Sequence, residues 1–139
     1  MILTLKKILI SKRKLPNKIK MKIETTEPLS IECVKQLRAI SDTMELLSGK
    51  WKIQIIGTLL RGGTLRFMEL KRSINGIASK KLSADLQELE LNKLISRTVK
   101  DTKPITVEYS LTKHGMTLDN LIGEVINWGI NHRTEIIKN

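Results

Sequence analysis

Residues 65–112, LRFMELKRSINGIASKKLSADLQELELNKLISRTVKDTKPITVEYSLT, contain the signals that decide the fold. The first part predicts a short helix, because its apolar residues follow the three-and-four spacing of one helix face: Phe67, Leu70 and Ile74. Asn75-Gly76 is a strong turn signal. A second helix follows the turn, and its apolar side holds Leu82, Leu86 and Leu89. The stretch therefore predicts two helices joined by a tight turn.

The second half of the same stretch predicts a β-hairpin. Residues 94–100 are extended, residues 101–104 form a turn, and the apolar residues that follow alternate strictly: Ile105, Val107, Tyr109 and Leu111. Helix, turn, helix and hairpin is the order of parts in a winged helix-turn-helix, whose second helix enters the DNA major groove. The expected fold is mainly α with a small β-hairpin, and the expected partner is double-stranded DNA.

Three further helices are predicted around this module. The helix over residues 50–61 is apolar around most of its circumference and is predicted to be the core helix. An earlier helix, which Gly49 ends, has a narrow apolar stripe at Val34, Leu37, Ile40, Met44 and Leu47. The last helix has a similar stripe at Leu118, Leu121, Val125, Trp128 and His132. Because so small a core needs neither stripe, we expect N- and C-terminal dimerisation helices and a homodimer. The alternative is that one of these helices folds back on the module.

The net charge of +11 is concentrated near the N-terminus. Residues 1–22 hold eight lysines and arginines and no acid, which leaves +3 on the other 117 residues. We interpret residues 1–30 as a basic, flexible arm that attracts phosphates without sequence preference, and residues 31–135 as the folded domain. The alternatives for the arm are a disordered leader without function, or a natural start of the chain at Met21.

Several classes of function are not expected from the composition. Cys33 is the single cysteine, so no disulfide forms within the chain, and His114 and His132 lack the cysteines of a structural zinc site. The few aromatic residues do not suit a base-stacking platform for single strands or RNA. No set of nucleophile, base and acid and no phosphate-cradling glycine loop is present. We therefore expect no enzyme, no metal and no cofactor.

The same reasoning places the protein in the cytoplasm, without membrane association. No apolar run is as long as a bilayer crossing requires. Lys6-Lys7 interrupts the apolar residues at the N-terminus before they could serve as a signal peptide.

Charge is graded along the second helix of the motif. Lys80 and Lys81 lie in its first turns, whereas the acids, Asp85, Glu88 and Glu90, lie toward its end. Entry into the groove by the N-terminal end keeps the acids away from phosphates and adds the favourable potential of the helix dipole. The candidates for base contact are Lys80, Lys81, Ser83 and Gln87. Alternatively, the two lysines are merely solvated at the start of the helix, and Gln87 is an exposed polar residue that has no role.

Further basic residues are candidates for contact with the DNA backbone. Arg66 either binds a phosphate or pairs with an acid such as Glu69 or Asp85. Residues in and near the wing turn can reach the backbone or the neighbouring minor groove, namely Arg97, Lys100 and Lys103.

Short motifs follow one another in a fixed order over about residues 33–132. They are Gly49-Lys50-Trp51, Arg66-Phe67, Glu69-Leu70, Leu82, Leu86, Leu89-Glu90, Val107-Glu108-Tyr109, Leu111-Thr112, Gly115 and Trp128-Gly129. In this ordered set the chain resembles the HxlR-type family of winged-helix transcription regulators, which are related in architecture to the MarR group. The resemblance implies a homodimer that places two recognition helices on a short, roughly palindromic operator and represses or activates a nearby gene.

The chain departs from the family pattern at several positions. Cys33 is followed by Val34 instead of proline and stands 18 residues before Trp51, which implies a longer first helix. Ala78 replaces the usual serine at the start of the recognition helix, so Ser79 is the expected cap instead. A frequent glycine and a frequent proline are replaced by Lys93 and Ile105.

Cys33 is a candidate redox or electrophile sensor, as cysteines near this region are in some members of the family. A reactive thiol needs an exposed, electropositive setting, and Lys35 and Arg38 lie nearby in sequence, but so does Glu32. An unreactive cysteine at a helix start is the alternative. An unknown small-molecule effector and a winged-helix module that binds protein also remain open.

Overall fold

The computed structural model describes residues 28–138. The predicted basic arm, residues 1–30, therefore lies outside the described residues except for its last three. The elements in chain order are α1 (Ile31–Leu46), α2 (Lys52–Gly62), β1 (Leu65–Arg66), α3 (Phe67–Ser73), α4 (Ser79–Leu91), β2 (Ile95–Lys100), β3 (Thr106–Leu111), α5 (Lys113–Met116) and α6 (Asp119–Ile137). The chain divides after Ser41 into two compact units, and α1 crosses this boundary. None of the helices within residues 28–138 is long and apolar enough to cross a membrane.

Helices α3 and α4 form the predicted helix-turn-helix. Gly76, in the turn between them, has a φ of +85°, a left-handed conformation that glycine adopts without a steric penalty. The inner faces of both helices are buried as expected, at Leu70, Ile74, Leu82, Leu86 and Leu89. Phe67 differs, because it is only partly buried and packs against the edge of the core.

Helix α2 is the core helix that its apolar circumference predicted. Ile55 and Ile56 are fully buried and Leu59 is 2% exposed, while Trp51 and Ile53 pack partly buried against the same core. Lys52, the first residue of α2, is also buried, which is rare for a lysine unless its ammonium group has a partner.

The predicted hairpin is confirmed as the antiparallel pair of β2 and β3, and β1 extends it to a three-stranded antiparallel sheet with the order β1-β3-β2. Strand β1 is two residues long, too short for an alternating pattern, and it pairs Leu65 with Tyr109 of β3. The alternation predicted along β3 is also incomplete. Tyr109 is buried and Val107 and Leu111 are half-buried, but Ile105 precedes the strand and is 67% exposed.

The ends of α4 explain two departures from the family pattern. The prediction that Ser79 caps this helix is wrong: Ala78 is the extended N-cap residue, Ser79 is the first helical residue, and no side chain caps this end. Lys93, in place of the frequent glycine, has a φ of +60° in the left-handed region. Glycine adopts that conformation at no cost, which accounts for its frequency at this position.

Helix α5 joins the sheet to α6 through close backbone packing. The Thr112 hydroxyl donates to the Lys93 carbonyl oxygen at 2.6 Å and accepts the Gly115 N–H at 2.9 Å. The Thr112 N–H donates to the carbonyl oxygen of Leu94 at 3.0 Å. A Cβ atom on Gly115 would lie 2.0 Å from that same oxygen, so only glycine fits at this position.

Candidate DNA-binding surface

The outer face of α4 consists of four exposed residues at the spacing of one helix side, Lys80, Ala84, Gln87 and Leu91. Ser83 is also exposed, next to this face. Ala84 and Leu91 were not among the predicted site residues, although their spacing from Lys80 would have placed them there. An exposed alanine on such a helix can contact a thymine methyl group, and lysine and glutamine can hydrogen-bond to base edges.

The two predicted lysines at the start of α4 lie in different environments. Lys81 Nζ donates to Asp85 Oδ1 at 2.6 Å, and the Asp85 side chain is 1% exposed. This hydrogen bond raises the pKa of Lys81 above its usual value. Lys80 has no ion-pair partner among residues 28–138. Of the two lysines in α4, Lys80 is therefore the one whose charge is not neutralised by an acid in this part of the chain.

A second ion pair joins α4 to the core helix. The buried Lys52 ammonium group contacts the Glu88 carboxylate, whose side chain is 54% exposed. The hydrogen bond from Lys52 holds the pKa of Glu88 below its ordinary value. Sequence reasoning missed this pair because its members are 36 positions apart on different helices. Two of the three acids in α4 therefore have a cationic partner.

Next to its outer face, α4 faces the sheet across a small cleft. Residues from both elements line this cleft, which has a volume of about 270 Å³: Ser83, Leu86, Gln87, Glu90, Arg97 and Tyr109. Arg97 lies on β2 directly opposite Tyr109 of β3. The fold thus brings Arg97 beside Ser83 and Gln87, as one DNA-binding surface requires.

The remaining predicted basic residues lie on other elements than α4. Lys100 Nζ lies 3.6 Å from the Glu108 carboxylate across the hairpin, whereas Lys103 is exposed in the wing turn. Arg66 precedes α3, and its backbone N–H donates to Glu69 Oε2 at 2.7 Å. The predicted alternative in which its guanidinium pairs with an acid is not found in the described part of the chain.

The predicted apolar stripes are largely exposed to solvent. Helix α1 has no buried residue, and the exposed fractions are 50% for Leu37, 59% for Ile40 and 57% for Met44. On α6 the exposed stripe residues are Leu121, Val125 and Trp128, and the Trp128 ring stacks on His132 with centroids 4.7 Å apart. Leu118, the first residue of the predicted stripe, is partly buried and packs against the core of its own chain.

Cys33 is the third residue of α1 and is partly exposed as a free thiol. Its N–H donates to the Ser30 hydroxyl at 3.2 Å. Within residues 28–138 no cluster of histidine, cysteine and acidic side chains could hold a metal ion.

Comparison with known proteins agrees with this geometry. The HxlR-like helix-turn-helix family matches residues 46–136. The HTH-type transcriptional regulator YdzF of Bacillus subtilis (strain 168) is 43% identical over 88 residues, which cover 63% of this chain and 81% of YdzF. The regulator BH0655 of Halalkalibacterium halodurans is 42% identical over 91 residues, covering 66% of this chain and 80% of BH0655.

A solved structure is also similar. The redox regulator HypR in its reduced form has a TM-score of 0.67 and 31% identity, covering 73% of this chain and 99% of HypR. The resemblance stated from the sequence motifs is confirmed: the chain belongs to the HxlR-like helix-turn-helix family of DNA-binding transcriptional regulators.

Proposed function

We propose that this regulator acts as a homodimer on a roughly palindromic operator, which it recognises by base sequence. The observation that carries the proposal is the outer face of α4, which presents Lys80, Ala84 and Gln87 to solvent. Ion pairs occupy Asp85 and Glu88 on a different side of the same helix. An exposed helix face that combines an unpaired lysine and a glutamine with an alanine suits base readout in a major groove. Because the ligand is chromosomal DNA, action in the cytoplasm is part of the same proposal.

The proposed contacts divide between bases and backbone. Lys80, Ser83 and Gln87 are assigned to base edges, and Ser79 and Lys81 at the start of α4 to the adjacent phosphates. Residues outside α4 are assigned to the flanking backbone or minor groove, namely Arg66, Arg97, Lys100 and Lys103. Lys81 and Lys100 form ion pairs with Asp85 and Glu108, which partly neutralise their charges. We therefore assign these two lysines the smaller contributions to DNA affinity.

Dimerisation is supported by the exposed stripes of α1 and α6. A row of exposed apolar side chains along a helix is unfavourable in water unless another surface covers it. A second copy is the proposed cover, because two-fold symmetric dimers are the commonest closed oligomers and an inverted repeat matches their symmetry.

The test of the proposal is selection from a pool of random duplex DNA at moderate salt, followed by sequencing of the retained molecules. The expected result is an inverted repeat whose half-sites lie about one helical turn apart. Retention without any motif, lost as salt is raised, would show phosphate attraction by the basic arm alone and contradict sequence-specific binding.

Lys80→Ala and Lys81→Ala are expected to differ in their effects on this operator. Lys80→Ala should weaken binding by roughly 5- to 10-fold and lower the slope of log affinity against log salt by about 1. Lys81→Ala should affect affinity less but lower the unfolding temperature, because it leaves the buried Asp85 carboxylate without its partner. Fluorescence anisotropy at several salt concentrations and thermal unfolding measure the two effects. Unchanged DNA binding in Lys80→Ala would favour the protein-interaction alternative.

A second candidate function is regulation by a thiol oxidant. It is favoured by similarity to HypR, known as a redox regulator, and to YodB from B. subtilis, whose reduced form has a TM-score of 0.59 and 33% identity and covers 65% of this chain and 87% of YodB. In this candidate Cys33 of two chains is oxidised to an intermolecular disulfide, while an oxidant such as diamide takes up the two electrons and two protons.

For this candidate, diamide is expected to change the operator affinity of the wild type. It should also produce a disulfide-linked dimer, whose disulfide dithiothreitol reduces again. The Cys33→Ser variant should show neither effect, because the chain has no other cysteine. Operator binding and non-reducing gel electrophoresis measure the two responses. A full response in Cys33→Ser would eliminate the thiol mechanism.

A further inference from the structure

We infer that Lys52, in the core helix, is a positioning residue for the DNA-binding surface. Its role is to neutralise the Glu88 carboxylate, which follows Gln87 in the recognition helix, and so to remove the repulsion that this carboxylate would still exert on DNA phosphates when α4 enters the groove by its N-terminal end. The inference rests on the operator binding proposed above, and it assigns a DNA-binding role to a buried residue that DNA itself does not reach.

The geometry of the pair is asymmetric. The Lys52 side chain is 8% exposed, whereas the Glu88 side chain with which it is in contact is 54% exposed. Lys52 therefore reaches from the core to the surface of α4, where its ammonium group meets a carboxylate that is open to solvent. A buried ammonium group requires such a partner, but a half-exposed carboxylate does not, because water can solvate it. Glu88 alone would thus remain a charged group on the surface.

Glu88 lies on a defined side of the recognition helix. Lys81, Asp85 and Glu88 follow the four-and-three spacing that places them together, beside the outer face that contains Lys80. Asp85 is buried and paired with Lys81, so its charge is neutralised within the helix. Lys81 is thus paired with Asp85, and Lys52 is the cation that neutralises the charge of Glu88.

Protonation does not remove the Glu88 charge at neutral pH. The hydrogen bond from Lys52 lowers the pKa of this carboxyl group, so it is ionised throughout the neutral range. A carboxylate close to a DNA interface repels phosphates, and repulsion between surface charges is reduced by salt. Compensation by Lys52 should therefore matter most at low ionic strength.

The pair can be tested with a cycle of four proteins: the wild type, Lys52→Met, Glu88→Gln and the double variant. Methionine keeps most of the volume of the lysine stem while removing its charge, so the protomer should remain folded. Affinity for the selected operator is measured at low and high salt, and thermal unfolding is measured for each protein.

Lys52→Met is expected to bind roughly 5- to 10-fold more weakly than the wild type at low salt, and this deficit should shrink as salt is raised. The double variant should return to within about 2-fold of the wild type, because the glutamine that replaces Glu88 carries no charge that needs compensation. Glu88→Gln alone should bind as tightly as the wild type or more tightly. A merely structural role for Lys52 would not be rescued by removing the charge of its partner.

A matched control is Lys138→Met on the segment that ends α6, which breaks an ion pair between the same two residue types, Lys138 and Glu135 at 3.1 Å. It removes the same net charge, so an equal loss of affinity would show a general charge effect and overturn the inference. A double variant as weak as Lys52→Met, or a Lys52→Met variant as tight as the wild type, would also overturn it. If Lys52→Met does not fold, Glu88→Gln decides: weaker binding than the wild type contradicts the inference, and equal or tighter binding supports it. Failure of the wild type to select any DNA motif would instead refute the proposed function.

Discussion

Gly115→Ala is expected to lower the unfolding midpoint by roughly 10–20 °C, the largest stability change among the substitutions proposed for this protein. The added Cβ would lie 2.0 Å from the Leu94 carbonyl oxygen and 2.9 Å from its carbonyl carbon. Both are backbone atoms, so the clash cannot be relieved by rotation of a side chain. The hydrogen bonds of Thr112 with Leu94 and Gly115 must then lengthen, and overpacking with these losses costs about 3 kcal/mol.

The control for this prediction is Gly123→Ala on α6. A Cβ at Gly123 meets nothing within 4 Å, and alanine has the higher helix propensity. The variant is expected to gain about 0.5–1 kcal/mol of stability. Thermal and urea unfolding of both variants measure the difference. Wild-type stability in Gly115→Ala would show that α5 can move away from β2, against the packing described above.

Trp128→Asp is expected to convert the proposed dimer to a monomer and to weaken operator binding on the order of 100-fold. Trp128 is 67% exposed in the protomer, so the substitution should cost the protomer itself little stability. In the proposed dimer the same position is covered by the second copy, where an unpaired carboxylate would be strongly unfavourable. The affinity falls because each monomer must bind its half-site separately. In the dimer, binding of one recognition helix holds the other close to the second half-site.

Asn127→Asp is the matched control, since it introduces the same charge at an exposed position on another side of α6. It should remain dimeric and bind the operator with nearly wild-type affinity. Sedimentation or light scattering gives the oligomeric state, and anisotropy gives the affinity. A Trp128→Asp protein that stays dimeric would contradict the assignment of this stripe to the interface.

Much of the fold follows from regular patterns in the sequence. The three-and-four spacing of Leu82, Leu86 and Leu89 located the recognition helix, and Asn75-Gly76 located its preceding turn. The sequence patterns missed a strand that is too short for periodicity and did not identify the start of a helix that has no side-chain cap. Strand β1 has two residues, and the start of α4 has no side-chain cap at all, so neither produces a signal in the sequence.

The candidate site was less fully predictable than the fold. Lys80, Ser83 and Gln87 could be assigned because their positions on one helix follow from spacing alone. The different environments of Lys80 and Lys81 could not be predicted, because they depend on the burial of the Asp85 side chain that pairs with Lys81. The partnership of Lys52 with Glu88 depends on how two helices pack, which single-helix reasoning does not address.

The outer face of α4 also sets how much information one protomer can read. Lys80 and Gln87 are separated by about 10 Å along the helix axis, the length of about three base pairs. A three-base-pair word occurs by chance roughly once in 64 base pairs, and a six-base-pair word roughly once in 4,000. One recognition helix therefore cannot distinguish a specific binding site from the many chance occurrences of the same three base pairs on a chromosome. The exposed stripes on α1 and α6 would then do more than bury apolar surface. By joining two chains they double the length of the recognised sequence, so its chance frequency becomes the square of that for one half-site.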